Sequence, residues 1–188
     1  MKNCLTALAV LLLTAGAAQA QIFDDSFVSV LGGWSSHPAL RLGANQPGVS
    51  DSYNVGARIG TGIGVPDFTV DADYFYNRGG FAGGGGLNSQ SVMGDLIYHV
   101  PVDFIPMPFH LYGGGGIGVV NDSLSGTLHG SSSVLGWQAI GGVEFPMGPA
   151  TTLFAEYRYQ NAHDANAGVI AGVGNTSDNV SVGVKYHF

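Results

Sequence analysis

The chain is poor in charged residues, has a single cysteine, and contains no long apolar run beyond its first twenty residues. Asp, Glu, Lys and Arg make up only 10% of its 188 residues, against about a quarter in typical soluble domains. Cys4 lies in a segment that we expect to be cleaved off, so the mature fold depends on neither disulfides nor thiolate metal sites. No later segment is continuously apolar enough for a membrane-spanning helix.

The first twenty residues have the features of a secretory signal peptide. Met1–Asn3 is a short positive start, residues 5–15 are apolar, and Ala18–Ala20 forms a small-residue cleavage site. The apolar run is too short to cross a bilayer as a helix. We therefore expect a signal peptide at 1–20 and one mature domain at 21–188.

Glycine and acidic residues dominate what remains. The 31 glycines are too many for a helical protein and lack the strict period of collagen. Without Lys2 the chain has five basic against 13 acidic residues, a net charge of −8, so no basic patch could neutralise the phosphates of a nucleic acid. Many glycines, few charges and scattered aromatic residues are typical of a transmembrane β-barrel, whose hydrophobicity alternates along each strand.

The final segment, 178–188, has the clearest alternation. Its apolar residues are Val180, Val182, Val184, Tyr186 and Phe188, and the small or polar residues between them are Ser181, Gly183, Lys185 and His187. In a strand the two sets point to opposite faces, which fits lipid outside and a polar lumen inside. The terminal aromatic also resembles the signal by which outer-membrane proteins are recognised for barrel assembly, with Tyr186 and Phe188 as its residues.

The same alternation predicts an all-β fold, an eight-stranded antiparallel up-and-down barrel. We predict strands at 26–34, 53–61, 68–77, 90–100, 109–119, 134–145, 152–160 and 178–188. The facing of the first strand stays open, because Phe27 and Leu31 compete with Val28, Val30 and Trp34 for the outside. The second, fourth and sixth connections are short and contain Pro, whereas the others are longer and rich in Gly, Ser and Asn. Short turns belong to the periplasmic side and long loops to the exterior.

This orientation predicts two girdles of aromatic residues. The outer girdle contains Tyr74, Tyr76, Tyr157 and Tyr159, and the inner girdle contains Phe68, Tyr98, Phe109 and Phe145 together with Phe188. Aromatic girdles at both interfaces are typical of membrane barrels.

Charged residues occupy the inward positions of the predicted strands. They are Arg58, Asp71, Asp73, Asp95, Glu144, Glu156, Arg158 and Lys185. These side chains could line an ion path or form a plug of paired charges. We favour the plug, because a barrel of eight strands is only wide enough for its own side chains and unpaired buried charges are costly.

Four segments together resemble a known family. They are TVDADYFYN (69–77), LYGGGGIGV (111–119), TLFAEYRYQ (152–160) and VSVGVKYHF (180–188). The mature chain is similar to the small outer-membrane β-barrels of Gram-negative bacteria, the opacity-protein and OmpA-barrel-like group often called porin-family proteins. The resemblance implies an outer-membrane location and an envelope-stabilising, adhesive or host-interacting role.

The resemblance also implies a set of partners. We expect outer-membrane lipid and lipopolysaccharide around the barrel, the barrel-assembly machinery at the last strand, and a possible extracellular ligand at the long loops. We expect a monomer. A narrow channel for ions or small solutes is the alternative function.

Residues 161–168 (NAHDANAG) loosely resemble the His-x-Ser-Asn-Ala segment of outer-membrane lipid A deacylases. His163, Asn166 and Ala167 fall in matching places, but Ala165 stands where that family has its Ser. Acyl transfer needs an activated hydroxyl or thiol. We therefore expect an exposed polar loop at 161–177 and no enzyme, with lipid A hydrolysis as the least favoured function.

No cofactor is predicted. The glycine-rich segment 78–88 lacks the following helix and the Lys-Ser or Lys-Thr pair of a phosphate-binding loop. The six histidines show no metal-ligand spacing on one element.

Overall fold

A computed structural model describes residues 26–37, 41–42, 52–80, 85–101, 108–125, 130–167 and 170–188; the predicted signal peptide lies outside these residues. They form nine β-strands: β1 (Phe27–Ser36), β2 (Arg41–Leu42), β3 (Ser52–Gly62), β4 (Phe68–Gly80), β5 (Gly86–His99), β6 (His110–Ser125), β7 (Gly130–Pro146), β8 (Thr151–Ala167) and β9 (Ile170–His187). Across the described ranges we find no helix that is long and apolar enough to cross a membrane.

Eight of these strands close into a barrel. Each long strand pairs antiparallel with the next, and β1 pairs with both β3 and β9. The two-residue strand β2 extends the wall by pairing with β9 at Gly174 and Val173. The predicted closed antiparallel barrel of eight strands is confirmed.

The pairing register shows how strongly the strands tilt. From Phe27 the paired positions run through Gly60, Asp71, Asp95, Gly116, Gln138, Gln160 and Ser177. Because Asp178 pairs with Ser36, the path returns to β1 at residue 37, ten positions beyond Phe27. Such a stagger requires strands tilted by about 35–45° to the barrel axis. Side chains at one height in the lumen therefore come from residues that are not direct pairing partners.

The facing of β1, which the sequence left open, is settled by its neighbour. Phe27 and Leu31 point into the lumen and are buried, whereas Val30 and Trp34 are exposed outside, Trp34 by 73%. A side chain at Gly60 would collide with the Phe27 ring, and one at Gly56 would meet Leu31 at 3.2 Å. The glycines of β3 thus leave the space that the apolar side chains of β1 fill.

The strands extend beyond their predicted ends, chiefly on the side of the long connections. The prediction of a loop at 161–177 is wrong, since β8 continues to Ala167 and β9 starts at Ile170. The two strands pair from Asn161 with Thr176 up to Ala167 with Ile170, with register shifts near Ala165. Polar residues on both faces of a segment are typical of a loop. Above the membrane, however, water can reach both faces of a strand, so a strand there can have the same sequence pattern.

The barrel wall divides at its extracellular end. Pairing between β7 and β8 stops at Gly136 and Ala162, although both strands continue. Above this point β7 pairs only with β6, and β8 pairs only with β9. We call the two resulting hairpin extensions the β6–β7 arm (residues 120–125 and 130–135) and the β8–β9 arm (163–167 and 170–175).

Candidate functional site

The interior of the barrel holds most of the charged side chains that the structure describes. All eight charged residues that the sequence places inward have side chains in the lumen, and each residue is 1–7% exposed. They divide into a central group, a periplasmic group and one carboxylate that stands apart.

The central group is built on a bidentate ion pair. Nη1 of Arg158 donates to Oδ1 of Asp73 at 3.0 Å, and Nη2 donates to Oδ2 at 2.6 Å. Nη2 of Arg158 also donates to Oε1 of Glu156 at 2.9 Å. Two parallel bonds between a guanidinium and a carboxylate are among the strongest charge-assisted contacts.

Arg58 enlarges this group. Its Nη2 donates to Oε2 of Glu156 at 3.0 Å and to Oδ2 of Asp73 at 3.2 Å. Its Nε lies 3.7 Å from Oδ2 of Asp71. Two cations and three carboxylates thus join β3 and β4 to β8 across the lumen.

The periplasmic group is centred on Glu144. Oε1 of Glu144 accepts a hydrogen bond from Lys185, and Oε2 lies 3.7 Å from Nδ1 of His99. The Lys185 ammonium lies 4.3 Å from the centre of the Phe27 ring, a favourable cation–π distance. These contacts join β5, β7, β9 and β1.

Asp95 stands apart from both groups. Its Oδ1 accepts a 2.6 Å hydrogen bond from Nε2 of Gln138. No Lys, Arg or His nitrogen within the described chain lies within 4.0 Å of it, and its buried Oδ2 has no hydrogen-bond partner there. Asp95 is therefore held by a neutral amide and not by an ion pair.

Apolar side chains fill the lumen between the charges, which sequence reasoning missed. The cluster consists of Leu31, Phe75, Ile97, Tyr112, Ile140 and Phe154. The Arg158 guanidinium lies 4.2 Å from the centre of the Phe75 ring, and the Tyr112 hydroxyl donates to Glu156 at 2.9 Å. The strand period could have found Phe75 and Phe154, since each lies two positions from an inward carboxylate.

A layer of uncharged polar side chains lies on the extracellular side of the charges. The Ser35 hydroxyl lies 2.7 Å from Oδ1 of Asn77 and 2.5 Å from Oδ1 of Asn179, and the Ser181 hydroxyl donates to Oδ1 of Asn54 at 2.8 Å. These residues are buried. Their amides and hydroxyls bond one another, so this level of the lumen is also occupied by protein atoms.

His37 lies just beyond β1 at the extracellular end, outside the membrane-spanning part of the strand. It is 7% exposed, and its Nδ1 is 3.4 Å from the Ser52 hydroxyl. Burial lowers the pKa of His37 to about 4, while the nearby Asp178 carboxylate acts in the opposite direction. Burial without a full ion pair favours the neutral imidazole.

The predicted girdle residues lie on the outer surface. On the extracellular side Tyr74 donates to Gln90 at 3.2 Å, and Trp137 stacks near Tyr159 at 5.4 Å. On the periplasmic side the ring centres of Phe68 and Tyr98 are 5.0 Å apart, and those of Phe109 and Phe145 are 5.9 Å apart. The remaining predicted positions, Tyr76, Tyr157, Tyr186 and Phe188, also lie outside the lumen.

Two predicted features give no site in the part of the chain that is described. The side chain of His163 lies outside the described part of the chain, so the structure adds no geometric support to the resemblance to lipid A deacylases. Within the described ranges, no group of three or more His, Cys, Asp or Glu residues could hold a metal ion.

Known structures with the same fold come from bacterial outer membranes. Neisserial surface protein A has a TM-score of 0.69 and 18% identity over 87% of this chain and 97% of that chain. OprG from Pseudomonas aeruginosa has a TM-score of 0.57 and 13% identity over 88% of this chain and 97% of that chain. A major outer membrane protein from Thermus thermophilus has a TM-score of 0.59 and 11% identity over 87% of this chain and 99% of that chain.

A search of curated proteins finds no match. The profile of the outer membrane protein beta-barrel domain, in contrast, matches residues 5–188. The fold, the outward aromatic residues and this match agree with one another and with a location in the bacterial outer membrane. The chain belongs to the outer membrane protein beta-barrel family.

Proposed function

We propose that this protein is a non-conducting barrel that stabilises the outer membrane and presents its extracellular arms for surface interactions. The observation that carries the proposal is the ion-pair group of Arg58, Asp73, Glu156 and Arg158 across the lumen. Each of these residues is at most 4% exposed. A lumen filled in this way supports a plug more than a pore.

Energetics support the same conclusion. Removing one partner from a buried ion pair costs about 3–5 kcal/mol, because the other charge is left uncompensated. A permeating ion would have to disrupt the bidentate bonds of Arg158 without replacing them. The apolar cluster around Phe75 adds a second obstruction, since it offers an ion no ligands.

Conductance across a planar lipid bilayer tests the plug. The wild-type barrel should give no single-channel steps. The double variant Asp73→Ser/Arg158→Ser removes one opposite pair of charges and should open a narrow path, whereas Asp178→Ser, on the outer surface, should not. Folding of each variant is checked by circular dichroism and by the shift in gel migration on heating. Regular conductance by the wild type would overturn the proposal and favour the channel.

The arms favour a recognition role as part of this function. Loops and edges on a rigid scaffold usually carry recognition, and the divided wall leaves strand edges that a partner could pair with. Removing Asn121–Ser133 and inserting an Asn-Gly turn between the paired residues Val120 and Val134 shortens the β6–β7 arm and tests this role. Adhesion of bacteria to epithelial monolayers should fall while the barrel still folds. Unchanged adhesion would contradict the recognition role and leave only the role in stabilising the outer membrane.

We propose that the protein does not hydrolyse lipid A. Ala165 occupies the place of the nucleophile in the segment that resembles the deacylases. Mass spectrometry of lipid A from cells with and without the protein should give the same acyl pattern. Loss of an acyl chain that His163→Ala abolishes would make the β8–β9 arm an active site.

A further inference from the structure

The charges inside the barrel do not balance. The eight inward residues described above comprise five carboxylates and three cations. Two of the cations, Arg58 and Arg158, belong to the central group, and the third, Lys185, belongs to the periplasmic group. Among the described residues Asp95 has no ion-pair partner, and Asp71 has only a long contact, 3.7 Å from Arg58. The surplus negative charge therefore lies at these two aspartates.

Asp71 and Asp95 are direct neighbours in the barrel wall. They pair across β4 and β5, and both side chains point into the lumen. Like charges directly opposite each other destabilise a sheet. A side chain at Gly60 would collide with Oδ1 of Asp71, and one at Gly116 would collide with Oδ1 of Asp95. Each carboxylate thus lies over a glycine of the strand on its other side, which separates the two charges without neutralising them.

One oxygen of Asp95 is left without a bond. Gln138 donates to Oδ1, whereas the buried Oδ2 has no hydrogen-bond partner among the described residues. The whole residue is 3% exposed. The inward positions on either side of it along β5 are Met93 and Ile97, which are buried and apolar. A buried carboxylate oxygen in such surroundings is costly unless a positive partner lies against it.

The basic residues that remain lie elsewhere. Arg78 is exposed on the outer face of β4, and Arg41 pairs with Gly174 in the β8–β9 arm. The strands that flank Asp95, β4 and β6, are both described at its level, and neither has a basic residue beside it. A positive partner for Asp95 therefore comes from the solution.

The groups around Asp95 favour a small monovalent cation. Its neighbours offer carboxylate and amide oxygens, whereas imidazole and thiolate are the ligands that most transition metals prefer. Ca²⁺ takes about six to eight oxygen ligands, several of them carboxylates. Because Asp71 is shared with Arg58, only Asp95 has a full negative charge to offer. The single charge of Na⁺ or K⁺ matches it.

We propose that Asp95 binds one monovalent cation, Na⁺ or K⁺, inside the barrel, with Oδ2 as the charged ligand and Asp71 adding to the attraction. The cation offsets the surplus negative charge and stabilises the folded barrel. It is a resident counter-ion and not a permeating one. The site does not depend on the proposed plug, since a conducting barrel could hold the same ion.

Urea unfolding of the full barrel in a non-ionic detergent tests the site. NaCl, KCl and choline chloride are mixed at constant total chloride and constant pH, so that only the kind of cation changes. The variants are Asp95→Asn and, as the control, Asp67→Asn, which removes one carboxylate from the exposed turn between β3 and β4. Asn tolerates the positive φ of 65° at position 67. Relaxation of the ²³Na NMR signal measures binding directly.

The wild type and Asp67→Asn should respond alike to Na⁺ or K⁺. Their ratio of folded to unfolded protein should rise about twofold at a free cation concentration equal to the dissociation constant, and about elevenfold at ten times that concentration. Asp95→Asn should lose both this response and the excess ²³Na relaxation. Since Asn needs no counter-ion and also removes the cost of burying a charge, the overall stability of this variant should change little.

Two results would overturn the proposal. One is an equal response of the wild type and Asp95→Asn to Na⁺ and K⁺, which would place any bound cation away from Asp95. The other is a wild type that is equally stable in all three salts but gains stability relative to Asp95→Asn as the pH falls. In that case a proton, and not a metal cation, would neutralise Asp95.

Discussion

Arg158 reaches across the lumen and donates two parallel hydrogen bonds to Asp73, at 3.0 and 2.6 Å. Their strands, β8 and β4, are four places apart in a closed sheet of eight, so the bond spans the full width of the barrel. Such a contact links parts of the chain that share no backbone hydrogen bonds. It thereby adds to the cooperativity of a fold whose backbone hydrogen bonds run only between neighbouring strands.

Loss of the charge on Asp73 should destabilise the barrel strongly. Asp73→Asn leaves Arg158 and Arg58 with one shared carboxylate fewer, and we expect a loss of about 3–5 kcal/mol in the free energy of unfolding. Asp95→Asn is the matched control, because Asp95 has no ion pair and an Asn oxygen can still accept from Gln138. The control should change stability by less than about 1 kcal/mol. Urea unfolding followed by tryptophan fluorescence measures both, and equal losses would contradict a special role for the ion pair.

Two adjacent glycines of β7 should respond very differently to the same substitution. A Cβ at Gly142 would lie 2.5 Å from Cζ of Tyr112 and 2.6 Å from the Ala155 carbonyl oxygen, whereas a Cβ at Gly141 would meet nothing within 4 Å. Gly142→Ala should cost about 1–3 kcal/mol through overpacking, and it should also displace the Tyr112 hydroxyl from Glu156. Gly141→Ala should be nearly neutral. Unfolding midpoints in urea test the pair, and similar midpoints would mean that the wall deforms easily at this level.

The strand period and the inward charges could be predicted from sequence because alternation is a local property. Asp71 and Asp73 share a face with each other and oppose the tyrosines of the same strand, which identifies the lumen side without any structure. Where both faces of a strand carry apolar residues, as in β1, the alternation does not show which face points into the lumen. The facing of β1 is set instead by Gly56 and Gly60 on β3, which leave space for the inward side chains of β1.

The partners of the inward charges could not be predicted from sequence. Arg58 and Glu156 are separated by 98 residues, and their meeting depends on the stagger of ten residues around the barrel. That stagger results from the register of all eight pairings together. The extracellular strand ends were also hidden, because the Ser, Gly and Asn residues of the arms have the composition of loops while their backbones remain paired.

The buried imidazole of His37 should make the barrel less stable in mild acid. Its pKa is lowered to about 4 from an ordinary value of 6.5, so the unfolded state binds more protons between these values. The contribution of the neutral imidazole to the free energy of unfolding is full above pH 6.5. It is lost as the pH falls towards 4, an effect on the order of 3 kcal/mol.

Other buried acids also titrate in this range, so the His37 contribution is read as a difference between two proteins. The stability of His37→Gln subtracted from that of the wild type should decrease between pH 6.5 and 4. The measurement is urea unfolding at a series of pH values. A difference that does not change with pH would mean that His37 is solvated in the folded barrel.

Phe188 should matter for assembly in cells more than for the stability of the folded barrel. Phe188 is 67% exposed on the outer surface, and its backbone N–H donates to the Ser26 carbonyl at 3.0 Å, which Ala would preserve. Phe188→Ala should therefore refold normally into lipid vesicles but reach the outer membrane at a several-fold lower level. Phe145→Ala is the control, since it removes the same exposed ring from the same girdle within the chain. Cell fractionation and immunoblotting compare the two variants, and an equal fall in both would assign the defect to the girdle and not to an assembly signal at Phe188.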